Sequence, residues 1–476
     1  MSKFQIGSKS GHRPDEHIFV ITSYMALCEN EKRSAIFQMM DYAKLFDCES
    51  LIDCLGELHK NQIRGKLYRL LYRMNEHNEI QVLTPVGLTG VVDTGEGLGQ
   101  GGLEPGYASA VSLDNGVQEM FADSDDEVSY ADLRLFPLLY MDDLFRMANS
   151  VTSAQKGLIK LEQVAEAKLI QYNMTKTCFI VFGNKKEKEK IEEDLDRNPL
   201  TLYGENVKRV DSEKYLGWTI SGGGLSDCAY KTVFKRRGNI RKAISQIKSV
   251  IEDSRCKVLG GIDVALQIWN LSVSPFLYYS SENWIKIEKK TLKILTDLQC
   301  EFYRAIFGLP SSSPKPILFF DTKGLLPENM VMKRKLLFYF HLEHLPPSSL
   351  AAEILSRQKE YHLNDSLYQE CQRFLCLLGL SHPKEYSKQA WKKAVNQVVN
   401  EQNRKDLLTL IKDYKKLSHE ELKEEDYEVK AYIKELPLQK ASPKMRHRSQ
   451  MLKSVKFNFQ SDKEFARVDF GRVVSI

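Results

Sequence analysis

The stretch Leu138-Leu139-Tyr140-Met141-Asp142-Asp143-Leu144-Phe145 sets two adjacent carboxylates inside a run of apolar, β-prone residues that enters from Leu133 and leaves through Phe145. In a strand, neighbouring side chains point to opposite faces. Two adjacent Asp therefore do not belong inside one strand. They fit the tight turn of a β-hairpin, offered up at its tip. Side-by-side carboxylates repel, so one has a raised pKa unless a cation neutralises the pair. A divalent metal resolves that conflict, and an all-oxygen site completed by substrate phosphates is what Mg²⁺ prefers. An ordinary surface Asp-Asp turn gives the same dipeptide, so the reading depends on what surrounds it.

At 476 residues the chain has room for two or three domains. Its 42% hydrophobic and 28% charged residues are the make-up of a folded protein. The net charge of +5 excludes a general polycation, so any nucleic-acid surface must come from local clustering. The nine Cys show no paired framework. Residues 1–20 are polar and charged where a secretory signal needs an apolar run. No apolar stretch approaches a membrane span. The expected setting is a reducing one, cytoplasm or nucleus.

Upstream of the Asp pair, Ile18, Ile21, Tyr24, Met25 and Cys28 fall at helical spacing, which predicts an amphipathic helix over about Glu16 to Asn30. Ala35-Ile36-Phe37-Gln38-Met39-Met40 predicts a buried strand that runs out at Asp41. A carboxylate there is poorly solvated and needs hydrogen bonds or a metal to stay charged. Capping the next helix is the plainer role, but Asp47 can fill it without Asp41. Residues 49–76 read as one or two helices carrying Lys60, Arg64, Lys66, Arg69 and Arg73, a basic line that suits solvent or phosphates equally. Glu79 to Val92 reads as a hairpin turning near Val86-Gly87. Gly97-Leu98-Gly99-Gln100-Gly101-Gly102 matches the glycine pattern of dinucleotide sites. That pattern belongs between the first strand and helix of a βαβ unit, and here it follows a hairpin. Glycines ahead of a helix (Tyr107 to Met120) still allow a backbone to approach a ligand closely. The acidic stretch Ala122 to Tyr130 reads as a surface loop.

Beyond the Asp pair, Ala154 to Ile170 is helical by its apolar spacing, Lys176 to Phe182 is a strand, and Lys185 to Arg197 is a charged helix. Leu200 to Gly204 opens a strand pair that Lys214 to Ile220 closes. From Asp227 the character turns helical, with Lys231, Lys235, Arg236, Arg237, Arg241, Lys242 and Lys248 on or near one helix. Val258 to Trp284 is helical with an interruption at Pro275, and Lys289 to Phe307 is a further helix. Pro310 to Pro316 is the clearest linker, and residues 325–476 are mostly helical. Cys371, Cys376 and His382 lack the fourth ligand of a structural zinc site.

The order of these features is distinctive: Asp41 with Phe46 after it, Gln100-Gly101 before a helix, Tyr140-Met141-Asp142-Asp143, Asn173-x-x-Lys176, and Tyr215-Leu216-Gly217. It closely resembles the palm of a reverse transcriptase, and more nearly that of the non-LTR, LINE-type retrotransposons. That family reads Asp-x-x-Lys-x-Phe-Asp where this chain has Asp41-Tyr42-Ala43-Lys44-Leu45-Phe46-Asp47. Gly11-His12-Arg13-Pro14 is similar to its Gly-Phe-Arg stretch. The likeness spans about residues 10–225 and continues weakly beyond. It implies an α+β fold: a right-hand polymerase palm (an antiparallel sheet with packed helices) and partial fingers over residues 1–225, a helical thumb over 226–310, and an all-α C-terminal region over 311–476.

The activity it implies is that of an RNA-directed DNA polymerase, with an RNA template, a DNA primer and deoxynucleoside triphosphates as partners, and no membrane. Nucleotidyl transfer of this kind uses two metal ions about 4 Å apart, Mg²⁺ by resemblance, with Mn²⁺ as an alternative. Asp41 and Asp142 would be the main ligands and Asp143 a secondary one. Phe46 would lie under the incoming sugar, where its ring clashes with a 2′-hydroxyl. Tyr140, Met141, Gln100 and Gly101 would contact nucleotide and template. Lys176 would protonate or neutralise the leaving pyrophosphate. Tyr215, Leu216 and Gly217 would form the primer grip. Lys231, Lys235, Arg236 and Arg237 would hold duplex phosphates through a salt-sensitive contact.

Departures from the family accompany these matches. Family members carry Ser-Pro after the Gln-Gly box, where this chain has Pro105-Gly106. The family's basic finger residues lie upstream of the Gly11 position and have no counterpart here, and no endonuclease domain precedes the palm. Met445 to Phe465 resembles the run that leads into a zinc knuckle in relatives. A fragment of a longer element protein, or a gene model taken from one, is therefore expected, one that binds template-primer but extends it weakly or not at all. Two other readings compete. A catalytically inactive remnant that binds nucleic acid is compatible with intact carboxylates. An RNA-dependent RNA polymerase is disfavoured by Phe46, since it would want a smaller or hydrogen-bonding residue there.

Overall fold

The computed structural model describes residues 1–75, 79–93, 97–98, 103–123, 127–252 and 261–413. The chain divides into two compact units. Residues 1–231, 283–286 and 339–373 make the first; 232–282, 287–338 and the described residues from 374 onward make the second. The break expected near 225/226 thus falls at Lys231, and residues on both sides of Pro310 belong to the second unit. Pro310 to Pro316 is a tied turn: Ser313 is buried, its Oγ donates to the Pro310 carbonyl at 2.8 Å, and its own carbonyl accepts from Arg304 at 2.8 Å.

The first unit is α+β. Its five-stranded sheet comprises β1 (Ala35–Met40), β2 (Leu138–Tyr140), β3 (Asp143–Ala148), β4 (Cys178–Phe182) and β5 (Lys208–Arg209), in the order β5-β4-β1-β3-β2. β1 lies between β4 and β3, antiparallel to both. A central strand covered on two faces reads as a continuous apolar run, and all six residues of β1 are buried. β5 joins β4 in parallel, so the sheet is mixed rather than wholly antiparallel. Its helices are α1 (Pro14–Asn30), α2 (Leu45–Cys48), α3 (Leu51–Lys60), α4 (Gly65–Asn75), α5 (Leu103–Phe121), α6 (Val151–Ala167), α7 (Lys185–Arg197) and the start of α8 (Leu225–Glu252).

Side-chain alternation splits the sheet into two faces. On one, Ile36, Met40, Leu144, Phe179 and Val181 pack with Leu113 and Phe121 of α5, Leu158 and Leu161 of α6, and Ile191 and Leu195 of α7. On the other, Phe37 stacks on Phe182 at 5.3 Å and lies 5.6 Å from Phe145, with Tyr24 of α1 edge-on at 6.5 Å. α1 is not the amphipathic surface helix expected from its spacing. Every residue from Asp15 to Cys28 is buried. The helix Leu350–Glu360 also packs on it, with Gln358 Nε2 donating to Ser23 Oγ at 3.0 Å. A helix covered on more than one side loses its polar face.

Two further expectations are corrected. The stretch read as an acidic surface loop holds Glu127, which is buried and accepts from Arg146 Nη2 at 2.9 Å, and then a short hairpin pairing Val128–Tyr130 with Leu133–Leu135. Arg146, from the middle of β3, also donates to Gln38 Oε1 at 2.9 Å and to the Ser153 carbonyl at 3.1 Å. Its guanidinium stands where a Cβ at position 157 would be, which is why Gly157 is needed in α6. Burial raises the Glu127 carboxyl above its ordinary range while the Arg146 charge opposes that. The second correction concerns Lys214 to Ile220. This segment does not close a pair with Leu200 to Gly204. It belongs to its own hairpin, β6 (Ser212–Tyr215) with β7 (Trp218–Ser221), and Thr201–Leu202 pairs locally with Glu205–Asn206.

The described part of the second unit is helical. The interruption near Pro275 is a π-helical turn, Trp269–Val273, just ahead of the proline. A ring that cannot donate disturbs the hydrogen-bond ladder behind it. Trp269 stacks on Phe302 at 4.3 Å. The helix Lys388–Lys412 is fastened by Trp391, which donates to the Leu336 carbonyl at 3.1 Å. Buried Asn403 adds an accepted bond from Leu326 N–H at 2.8 Å and a donated one to the Gly324 carbonyl at 3.0 Å. Among the described residues no helix is long and apolar enough to cross a membrane.

Candidate active site

β2 and β3 pair with Tyr140 opposite Asp143, so the two-residue turn is Met141-Asp142, and Asp143, expected in the turn beside Asp142, is instead the first residue of β3. Tight hairpins need φ > 0 in the turn, and Met141 has φ +58, a left-handed conformation unusual for a long side chain. Gln5 holds it there. Its fully buried amide accepts from Met141 N–H at 3.1 Å and donates to the Met141 carbonyl at 3.1 Å. Residues 4–6 lie along β2: Leu139 N–H donates to the Phe4 carbonyl at 2.9 Å, and Ile6 N–H to the Leu139 carbonyl at 3.2 Å. Nothing in the sequence near Gln5 signals this clamp, because its partners lie 136 residues away.

The β1–β3 register brings Asp41 to the same tip. Met39 pairs with Phe145 and Met40 with Leu144, where the pairing ends; Asp41 and Asp143 are the next residues on the two strands, and both line one cavity. The Asp143 carboxyl is accordingly pushed up to about 6, by burial first and then by the charges of Asp142 and Asp41, with Lys176 opposing. The residue is open on one side, so the desolvation is that of a cavity wall and not of a core.

Lys176 arrives through local turn chemistry. Asn173 N–H donates to the Asp41 carbonyl at 2.7 Å, and Ala43 N–H to the Gln171 carbonyl at 2.8 Å. Between them the rings of Tyr42 and Tyr172 stack at 4.6 Å. Asn173 Oδ1 then accepts from Thr175 N–H at 3.1 Å and Thr175 Oγ1 at 2.7 Å, an Asx turn of the kind Asn favours. That turn aims Lys176 Nζ at Asp41 Oδ2, 3.1 Å away. The Asn-x-x-Lys spacing is thus a device that returns a cation to the end of β1.

Asp41, Asp143, Lys176 and Tyr215 line one cavity of about 300 Å³. Lys208, Glu213 and Lys214 line it too and were missed in the sequence. The parallel register Cys178↔Lys208 delivers Lys208, Glu213 and Lys214 come from β6, and no periodicity announces a two-residue edge strand. Tyr215 is buried, its ring tilted against Phe145 at 5.0 Å and its hydroxyl 3.5 Å from His17 Nδ1. Burial pushes the His17 imidazole down to about 3, so it sits neutral behind the site, edge-on to Tyr140 at 6.5 Å. Leu216 and Gly217 form the β6–β7 turn, with φ +45 and +81.

The remaining expected residues are more scattered. Phe46, on α2, is half-buried and packs against Cys54, Leu55, Leu58 and Ala108. Gln100 and Gly101 lie outside the described residues. The glycine run they belong to starts against α2, where Leu98 N–H donates to the Phe46 carbonyl at 2.6 Å and Gly97 N–H to the Glu49 carbonyl at 3.2 Å. Lys231 pairs with Asp227 at 3.0 Å and Ser221 Oγ at 2.9 Å. Lys235 and Arg237 are exposed, Arg237 lying 3.7 Å over the Phe234 ring. Arg236 corrects the expectation of a phosphate contact. It is buried, donates to the Leu277 and Tyr279 carbonyls at 3.1 and 2.9 Å, and lies over the rings of Phe276 and Tyr279. Its position on the stripe Val233, Ile240, Ile244, Ile247 was the signal for this.

The donor set is hard oxygen, and burial, followed by repulsion from Asp142 and Asp41, raises Asp143, an environment a divalent cation relieves. In chemical type the carboxylates fit Mg²⁺. As the side chains are arranged, no three His, Cys, Asp or Glu groups among the described residues stand together to hold a metal ion. Lys176 supplies the cation beside Asp41.

No protein-family model matches the chain, and no curated protein matches it in sequence. Among solved structures it is similar to telomerase from Candida albicans, determined in complex with a TWJ fragment of telomeric RNA. The identity is 10% and the TM-score 0.34, over 72% of this chain and 53% of that one. The chain thus spans about half the length of that telomerase. A TM-score this low does not establish a shared fold.

Proposed function

We propose that the first unit is the palm of a non-LTR retroelement reverse transcriptase, an RNA-directed DNA polymerase that adds deoxynucleotides to a primer 3′-hydroxyl on an RNA template. The observation that carries the reading is the cavity shared by Asp41 from the end of one strand, Asp143 from the hairpin tip and Lys176 from a separate loop. An incidental Asp-Asp turn has no need of a third carboxylate or of a cation delivered from a separate loop.

In this reading Asp41, Asp142 and Asp143 would hold two Mg²⁺ ions, which when bound stabilise the charge that builds up in phosphoryl transfer. Asp142, at the exposed turn, would swing inward to complete the set. Asp143, raised to about 6, is the member whose charge most needs a cation. Lys176 would release Asp41 to the ion and turn to the departing pyrophosphate, where its ammonium neutralises charge or gives up a proton. Tyr215 and the Leu216-Gly217 turn would support the primer end beside the carboxylates. Phe46 would face the sugar 2′ position, and Gln100 and Gly101 the nucleotide and template. Lys235 and Arg237 would track duplex phosphates.

The test is primer extension by the purified chain on an RNA template with deoxynucleoside triphosphates. Extension that is lost in Asp142→Asn, with template-primer binding kept, is the expected result. A second reading has its own observation. Lys176 neutralises Asp41, and no three metal-binding groups stand together among the described residues, as an inactive remnant that binds nucleic acid would have them. That reading gives binding without extension in wild type and Asp142→Asn alike.

A further inference from the structure

A second cavity of about 240 Å³ opens elsewhere in the first unit, and Lys188, Arg209, Lys231, Gly222 and Gly223 are among its walls. We propose that this cavity binds a phosphate group. The proposal does not rest on the polymerase reading, since it requires neither the carboxylates nor any turnover.

Three cations reach this space from three elements: Lys188 from the first turn of α7, Arg209 from β5, and Lys231 from α8. The only acid among the lining residues is Asp211. Donors converging from three directions suit a tetrahedral anion with several oxygens better than a planar carboxylate. Part of the wall is bare backbone. A Cβ at Gly222 would collide with the Val181 carbonyl and stand 3.1 Å from Lys188 Nζ, and one at Gly223 would collide with the Asp227 carboxylate. Side chains are excluded there, so the cations and the peptide groups share one surface.

The cations are positioned without all being neutralised. Lys188 Nζ donates to the Gly222 carbonyl at 3.1 Å, a neutral partner that fixes its direction and leaves its charge. Lys231 is steered by Ser221 Oγ and Asp227. Arg209 pairs with Glu192 at the surface, the arginine exposed and the glutamate partly so. Exposed pairs of that kind hold weakly, so the guanidinium can turn to an anion in the cavity. Val210 lines this cavity and the carboxylate cavity alike, so the phosphate could belong to a nucleic-acid strand passing both, or to a free phosphate or phosphate ester.

The experiment is a titration of the full chain with inorganic phosphate at constant ionic strength, read by calorimetry. A parallel titration uses a single-stranded oligodeoxynucleotide across a salt series. Lys188→Gln combined with Arg209→Gln should weaken inorganic phosphate at least tenfold. The charge-keeping pair Lys188→Arg with Arg209→Lys should stay within about threefold of wild type. Thermal melts report folding, and if the double Gln variant does not melt cooperatively, Lys188→Gln alone should still weaken phosphate at least threefold. If the oligonucleotide salt slope also drops, by about 0.7 for each phosphate left without its cation, the phosphate is that of a nucleic acid. An unchanged slope with abolished phosphate binding assigns a free phosphate or ester. Phosphate affinity equal in wild type and the Gln variants, or equally weak in the charge-keeping pair, overturns the proposal. An absence of primer extension leaves these titrations as they are.

Discussion

Asp143→Asn should make the protein more stable, and only above a certain pH. The Asp143 carboxyl is raised from an ordinary 3.8 to about 6. At about 1.4 kcal/mol per pK unit, the unfavourable interaction of its ionised form has a ceiling of roughly 3 kcal/mol. The residue is open to solvent on one side, so screening reduces the usable figure to about 1 kcal/mol. A raised carboxyl binds its proton more tightly in the folded state. Its contribution to stability is therefore fully present below about pH 4 and is lost as pH rises through 6. Asn mimics the protonated form at every pH. At pH 8 the variant avoids the burial of charge and the repulsion from Asp142 and Asp41 that wild type bears, about half of that gain remains at pH 5, and at about pH 3.5 the two proteins are nearly alike.

Thermal unfolding of both proteins at about pH 3.5, pH 5 and pH 8 reads this directly. A gain of about 1 kcal/mol corresponds to roughly 2–4 °C in Tm for a unit of this size. The gain should be full at pH 8, about half as large at pH 5, and vanish near pH 3.5. Adding Mg²⁺ at pH 8 should narrow the gap by raising wild type more than the variant. A variant that is less stable than wild type at pH 8, or equally stabilised at all three pH values, would refute the claim that burial and the neighbouring carboxylates hold the Asp143 titration up. The same substitution should reduce any extension activity, giving a more stable and less active protein.

Gln5→Ala leaves the Met141 N–H and carbonyl without their buried partner and should cost about 1–3 kcal/mol; the denaturant midpoint reads this, and extension should fall further than the stability loss explains. Glu127→Ala strands the buried Arg146 guanidinium and should cost about 3–5 kcal/mol, whereas Glu127→Gln, which keeps an acceptor, should cost less; a loss under 1 kcal/mol for the Ala variant would mean that water replaces the carboxylate. Phe46→Val removes part of a half-buried ring and should cost about 1–2 kcal/mol. As a sugar gate it should also raise the ratio of kcat/KM for ribonucleotides over deoxynucleotides at least tenfold, and an unchanged ratio would leave Phe46 a packing residue.

What the sequence disclosed was local. The hairpin at Met141-Asp142, the strand ending at Asp41, the Asn173 turn and the helix Lys185–Arg197 follow from alternation, turn chemistry and charge periodicity within a dozen residues. Pairings across distance were not legible. Arg146 meets Glu127, Gln5 meets Met141, and Lys208 joins the Asp41 cavity only once strands have chosen partners. An Arg in a strand has no one-dimensional mark that separates a buried hub from a solvated edge. Arg236 is different, because its place on an apolar stripe was visible and a count of basic neighbours outweighed it. Composition was a weaker guide there than period.

The tip of the β2–β3 hairpin carries two features that do nothing for folding. A left-handed Met strains the turn where Gly or Asn would not, and a carboxylate beside two others opposes its own ionisation. Each has a separate compensator drawn from far along the chain: Gln5 for the backbone, Lys176 for the charge. Strain of this sort persists only where the surroundings over-determine it. An Asn-Gly turn would build the same hairpin with neither penalty and would need neither compensator. The arrangement becomes economical only if Asp142 and Asp143 are wanted at that tip for their charge, facing Asp41 across the strand pair. That requirement favours the two-ion reading over an incidental turn, and it also explains why the pH-dependent gain from Asp143→Asn should accompany a loss of function.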